Sequence, residues 1–220
     1  ADFMAGNYDL LNRKDQTPLP GFYTHLGHWR QVEEEGEVCW QADGSRWLGT
    51  LSTGVSGVMT KTLGRSYQEL LDTIGAYYYF PLAISKSGEV SNGVLSLKVK
   101  PLHGSIDQAG GLVFGLRNIG NYFVFRINAL EDNAILFEFI NNNRVERGRC
   151  DMPITKSQWH TLEVSVMGSN ASCLVNGEVV FEYQADRSLH GYIGLWTKAD
   201  SVTQFSCLTI NNGATCLDVT

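Results

Sequence analysis

Arg126 and Asn128 stand two apart in an otherwise apolar segment, Asn121-Tyr-Phe-Val-Phe-Arg-Ile-Asn-Ala129. A strand sends alternate side chains to opposite faces. Phe123, Phe125, Ile127 and Ala129 therefore read as core, while Tyr122, Val124, Arg126 and Asn128 share the other face. A guanidinium is a fork of donors, and an amide both donates and accepts. Beside aromatic rings this pair suits a sugar, whose C–H surface packs on the rings while its hydroxyls need hydrogen-bond partners. The bland alternative is an arginine stem laid across an exposed aromatic strand. Two polar residues in one phase weigh against it, because each must be compensated if buried.

The polar face extends into the next segment. Leu130-Glu-Asp-Asn133 has turn chemistry and residues 134–140 alternate again, which predicts a hairpin. With residues 130 and 133 facing each other, Arg126 lies near Phe137 and Asn128 near Ile135, while Phe125, Ile127, Leu136 and Ile140 turn inward. Tyr122, Phe137 and Phe139 then surround the two polar groups as candidate ligand contacts.

Other residues carry weaker chemistry. Gly194, Trp196 and Lys198 share a phase and Asp200 follows, which reads either as a sugar contact or as a core Trp with a rim ion pair. Glu131 and Asp132 sit at the hairpin tip as a candidate base or calcium ligands, although neighbours on a turn point apart and solvated acidic turns are common. His103 and Asp107 flank a glycine-containing loop and are a conceivable catalytic pair. His160 shares its phase with Leu162, Val164 and Val166 and reads as a core histidine. His25 and His28, outside any helical pattern, do not suggest a shared metal. Asn170-Ala-Ser172 matches a glycosylation acceptor, a triplet that also arises by chance.

The elements that must position these groups are mostly strands. Residues 1–27 form an irregular arm, with the body beginning near His28. Strands are expected at 37–41, 47–51, 77–85, 94–100, 112–117, the 121–140 hairpin, 159–167, 172–183, 192–197 and 202–210. Asn176-Gly177 is a strong two-residue turn signal. Arg144, Arg147 and Arg149 fall in a polar stretch read as a solvated hairpin tip. One helix is expected where Ser66-Tyr-Gln-Glu69 forms a capping box ahead of Leu70, Leu71 and Ile74, with Gly75 to end it. Many short strands with Gly-rich turns indicate an all-β antiparallel sandwich with one short helix, in one domain spanning 1–220.

Composition bounds the function. The chain has 220 residues, 43% hydrophobic and 11% aromatic, enough for a sizeable core. A net charge of -6 argues against nucleic acid, which calls for a basic stripe. No apolar run approaches the roughly 20 residues of a membrane-spanning helix. The five cysteines, Cys39, Cys150, Cys173, Cys207 and Cys216, are odd in number and show no C-x-x-C spacing, so an oxidising compartment is permitted without being required. The start at Ala1 is compatible with a removed signal peptide.

Four stretches then point to a family: Gly104-Ser-Ile-Asp-Gln-Ala-Gly-Gly-Leu-Val-Phe114, Asn121 to Asn133, Trp159-His-Thr-Leu-Glu-Val164, and Gly194-Leu-Trp-Thr-Lys-Ala-Asp-Ser201. Together they resemble the 3-keto-disaccharide hydrolase domain family over about residues 76–210. The resemblance implies a concanavalin A-like, laminin-G-like jelly roll with a concave sugar-binding face, in a secreted or periplasmic bacterial protein. It also implies, for enzymatic members, elimination and hydration at a sugar oxidised at C3, with a divalent metal in some cases and no ligands assignable here. Enzymatic members carry a Glu-x-Gln pair where this chain has Arg126-x-Asn128, and Asn-Ser-Gly and Arg where it has Ala109-Gly-Gly111 and Gly115. Exchanging carboxylate for guanidinium removes a base and supplies a donor. The expected function is carbohydrate recognition through Tyr122, Arg126, Asn128, Phe137, Trp196, Lys198 and Asp200. The alternatives are glycoside hydrolysis, with Glu131, Asp132, His103 or Asp107 as acid–base candidates, and laminin-G-like protein interaction.

Overall fold

The computed structural model describes residues 19–45, 80–212 and 216–218. The expected helix at 66–75, the strand at 47–51 and Cys216's side chain lie outside what is described. The strands are β1 (Phe22–Leu26), β2 (Trp29–Glu34), β3 (Glu37–Asp43), β4 (Leu82–Val90), β5 (Gly93–His103), β6 (Ala109–Asn118), β7 (Asn121–Asn128) and β8 (Asn133–Ile140). They continue as β9 (Asn143–Asp151), β10 (His160–Met167), β11 (Asn170–Val175), β12 (Glu178–Gln184), β13 (Gly191–Trp196), β14 (Val202–Asn211) and β15 (Cys216–Asp218). One antiparallel sheet runs β1-β4-β13-β6-β7-β8-β9. The other runs β12-β11-β10-β5-β14-β3-β2, with β15 pairing β14. The expected all-β sandwich is the observed one.

The alternation that predicted the strands also builds the core. Leu112, Phe114, Phe123, Phe125, Ile127 and Leu136 of the first sheet face Leu95, Leu97, Val99, Leu162, Val164 and Phe205 of the second. All are essentially inaccessible, each large side chain contributing about 1.5–3 kcal/mol by leaving water. His160 belongs to this layer. It is buried, and its Nε2 lies 2.9 Å from the Thr155 carbonyl, as a core histidine should be.

Four strands, β1, β2, β9 and β15, were hidden in the sequence. The segment carrying Arg144, Arg147 and Arg149 is not a hairpin tip but the edge strand β9, its residues half-exposed to exposed on both faces. Edge strands carry charge that blunts pairing with other chains, and this erases the alternation by which a strand is read. Arg147 reaches the buried Glu138 at 2.9 Å. β1 lies within the expected irregular arm, and β2 pairs β3 through a Glu35-Gly36 turn with both φ positive.

The β7–β8 hairpin differs from expectation in register. Asn128 faces Asn133, Arg126 faces Ile135 and Tyr122 faces Phe139. The shift is two residues, so every side chain keeps its face while its cross-strand neighbour changes. Ile140, expected inward, sits at the strand end and is exposed.

Two connections cross between the sheets side by side. Residues 104–108 carry the chain from β5 to β6, and residues 197–201 carry it from β13 back to β14. The Asp200 carboxylate joins them by accepting from the backbone amides of Ser105 at 2.6 Å, Ile106 at 3.0 Å and Asp107 at 3.0 Å. The Ala109 peptide is held too: its N–H donates to Ser201 Oγ, and its carbonyl accepts from the Thr197 and Thr203 hydroxyls at 2.7 and 2.8 Å. Asp200→Ala leaves three amides without their acceptor and is expected to cost about 3 kcal/mol. A fall in the urea midpoint at unchanged m-value checks this; a midpoint equal to wild type would remove the clamp from the argument.

Candidate functional site

The β7–β8 loop places the predicted residues. Asn128 Oδ1 accepts from the amides of Leu130 at 2.9 Å and Glu131 at 3.3 Å, which turns the chain at the strand end. Its Nδ2 donates to Asp107 Oδ1 at 2.8 Å. Asp132 has positive φ and accepts from the Ile154 amide at 2.9 Å, which ties the hairpin tip to the segment after β9. Glu131 turns the other way, and its Oε2 accepts from Arg126 Nη2 at 2.8 Å and Asn133 Nδ2 at 3.3 Å. Arg126 Nη1 donates to Asn133 Oδ1, and the guanidinium lies 5.6 Å from the Phe137 ring centre. Gly111 faces Arg126 across the strand pair. A Cβ there would come within 2.8 Å of Arg126 Cβ, so the bare backbone makes room for the arginine.

A second ion pair lies beside the first, with Lys198 Nζ 2.9 Å from Asp107 Oδ2. The cluster thus alternates in sign through Lys198, Asp107, Arg126 and Glu131, bridged by Asn128 and Asn133. Only Glu131 opens to solvent: its side chain is 41% exposed, against 6% for Arg126 and 9% for Lys198. Burial pushes the Asp107 carboxyl above its usual range despite the attraction of Lys198 and Arg126. Burial also lowers Arg126, against the pull of Glu131 and Asp107. Partial burial acts to raise Glu131, but Arg126 and Lys198 outweigh it and hold its carboxyl below the usual range.

The remaining predicted contacts are placed differently. Tyr122 stacks on Phe139 at 4.3 Å between ring centres, and burial raises its phenol. Trp196 stacks on Phe80 at 5.3 Å and is fully buried. Both, with Phe137, belong to a second apolar cluster that includes Leu82, Ile84, Val113, Val124 and Ile135. The aromatic side chains expected beside Arg126 and Asn128 thus form a packed layer, and Trp196 takes the core alternative. Asp200 is taken up by the loop amides, and His103 is exposed at the end of β5, where it pairs Val202. Asp107 accepts from Asn128 Nδ2 and pairs with Lys198, on the side of the crossover that faces the hairpin loop. Asn133 was not foreseen; its signal was the four-residue loop that sets it opposite Asn128. Among the described residues no group of three His, Cys, Asp or Glu could hold a metal ion.

Residues 102–213, just over half of the chain, match the family model described as galactocerebrosidase, C-terminal lectin domain. The stretch includes every residue of the hairpin-end cluster. The 3-keto-disaccharide hydrolase family is not the one matched. Among solved structures the chain is similar to the carbohydrate binding module CBM66 from Bacillus subtilis, at 15% identity and TM-score 0.63, over 87% of this chain and 96% of that one. It is also similar to the galectin LEC-6 of Caenorhabditis elegans, at 18% identity and TM-score 0.42, over 56% and 90%. No curated protein sequence matches. The likeness to CBM66 shows the sandwich fold.

The lowered Glu131 carboxyl has a stability consequence. A group depressed on folding stabilises above its unfolded value, and the contribution is lost as pH falls through the folded value; the raised Asp107 carries the opposite sign and weakens the fold as pH rises. In melting curves recorded between about pH 3 and 7, the stability gap between wild type and Glu131→Gln is expected to close towards acid. Parallel curves would contradict the Arg126–Glu131 pairing.

Proposed function

The chain belongs to the family of galactocerebrosidase C-terminal lectin domains, and from that premise we propose that it recognises carbohydrate through the hairpin end of its first sheet. The observation carrying this reading is Glu131, a solvent-facing carboxylate held in position and in its charged form by Arg126 and Asn133. A fixed carboxylate accepts from sugar hydroxyls without first losing side-chain freedom, and charge-assisted hydrogen bonds are the strong ones. Leu130, 49% exposed beside it, offers an apolar contact for a C–H face. Arg126, Asn133, Asn128, Asp107 and Lys198 act as positioning residues, with Phe137 beneath the guanidinium.

Hydrolysis of a 3-keto-disaccharide is the weaker reading. Elimination needs a base free to take a proton from C2. Glu131 is committed to Arg126, and Asp107 is buried against Lys198. A secreted or periplasmic setting accompanies the recognition reading as part of the proposal.

Glycan-array screening followed by calorimetry on the best ligand tests it. Glu131→Gln, at an exposed turn, is expected to weaken binding by about tenfold, the equivalent of one charged hydrogen bond. Arg126→Lys is expected to weaken it as well, by losing the bidentate fork. Undiminished binding by Glu131→Gln would move the site elsewhere, and absence of any glycan binding would overturn the function.

A further inference from the structure

At the end of the first sheet opposite the hairpin-end cluster, three polar side chains form a chain of hydrogen bonds. Tyr192 of β13 pairs with Glu89 of β4 and Gly191 with Val90, so the next row brings His190 against Ser91, on the face that Glu89 and Tyr192 share. Ser91 Oγ lies 2.8 Å from His190 Nδ1, and Glu89 Oε2 lies 3.0 Å from His190 Nε2. The serine and the histidine are 99 positions apart in the chain. One turn fixes both segments: Gly168 gives its N–H to Asn92 Oδ1 at 2.8 Å and accepts from the Leu189 amide at 3.0 Å. Leu189 is buried in the core, and the His190 amide donates to Ser188 Oγ at 3.2 Å.

The partners decide which nitrogen carries the proton. A carboxylate only accepts, so Nε2 of the neutral imidazole is protonated and donates to Glu89. Nδ1 then presents a lone pair, and the Ser91 hydroxyl donates to it. A hydroxyl held by a base that a third group orients is the arrangement that activates serine as a nucleophile. The two ring nitrogens exchange the roles they have in serine proteases, and the proton path survives because the ring conjugates them. A surface tie between the two crossovers is the bland alternative, but Gly168 already joins them. Glu89 and His190 are each 46% exposed and Ser91 is exposed, so a substrate reaches the hydroxyl without rearrangement. Tyr192, half-buried against Leu116, stands in the adjacent row and offers a ring to an aromatic substituent.

We propose that Ser91, His190 and Glu89 form a second, hydrolytic site that takes carboxylic esters with an aryl leaving group. Ser91 Oγ bonds to the ester carbonyl carbon while its proton passes to His190 Nδ1, and Glu89 holds the imidazolium. The bond from that carbon to the leaving oxygen breaks, the phenol takes the proton from Nδ1, and the acyl group stays on Ser91. Water then attacks the acyl carbon, with His190 again taking and returning the proton, and the carboxylic acid is released. On an open surface water solvates the oxyanion, so the leaving group itself must be stabilised, which selects aryl over alkyl esters. Ser91 and His190 are catalytic residues here, and Glu89 is a positioning residue.

Hydrolysis of p-nitrophenyl acetate by the whole chain, and labelling by a fluorophosphonate followed by intact mass and peptide mapping, test the proposal. Expected are hydrolysis above that of an equal concentration of free imidazole and a single adduct on Ser91. Ser91→Ala is expected to lose both, and His190→Ala to slow hydrolysis by about a hundredfold. Glu89→Gln is expected to lower kcat and leave KM unchanged. All three positions are exposed, and melting curves matching wild type check that the fold is kept. Hydrolysis that persists in Ser91→Ala or His190→Ala, an adduct elsewhere, or the absence of both reactions in wild type overturns it.

Discussion

The Asp200 carboxylate accepts hydrogen bonds from three successive backbone amides of the neighbouring crossover. Both connections there pass between the two sheets, where the backbone leaves its ladder partners and its polar groups need others. The same 197–203 stretch holds the Ala109 peptide by three hydroxyls. The start of β6 is therefore set relative to β14, and with it the spacing of the sheets at this end.

The candidate site depends on that clamp. Asp107 gives its amide to Asp200 and its carboxylate to Asn128 and Lys198, so one residue links the crossover to the hairpin loop. Asn128 then orders the loop that carries Glu131. Buried charges cost free energy unless paired and hydrogen-bonded. The alternation of Lys198, Asp107, Arg126 and Glu131 meets that requirement and leaves only the last member facing solvent. Electrostatics, more than shape, decides which side chain is presented.

Much of this was legible along the chain. The phase of Arg126 and Asn128 put them on the face opposite Phe125 and Ile127, and the hairpin, the Asn176-Gly177 turn and the core role of His160 follow from local chemistry. What was not legible is how that second face is used. Alternation separates two faces of a strand but does not say whether the second meets solvent or another layer. Tyr122 and Phe137 accordingly read as ligand contacts and are instead packed together, and Trp196 takes the core place that was one of its two readings. The β9 arginines show the converse, since an edge strand's charge disguises it as a loop.

By itself the sequence determined the all-β class, the pairing of β7 with β8 and the set of side chains that share each face, because a period of two is a local property of the backbone. Only the tertiary structure decided that Asp200 serves backbone amides and that Glu131 is the exposed end of a paired network. It also decided the two-residue register that sets Asn133 opposite Asn128. Those outcomes depend on residues some 90 positions apart meeting at one crossover, and on burial choosing partners for each charge. Arg126 and Asn128 were recognisable as unusual from their spacing; their role in ordering the site came from the partners that folding brought to them.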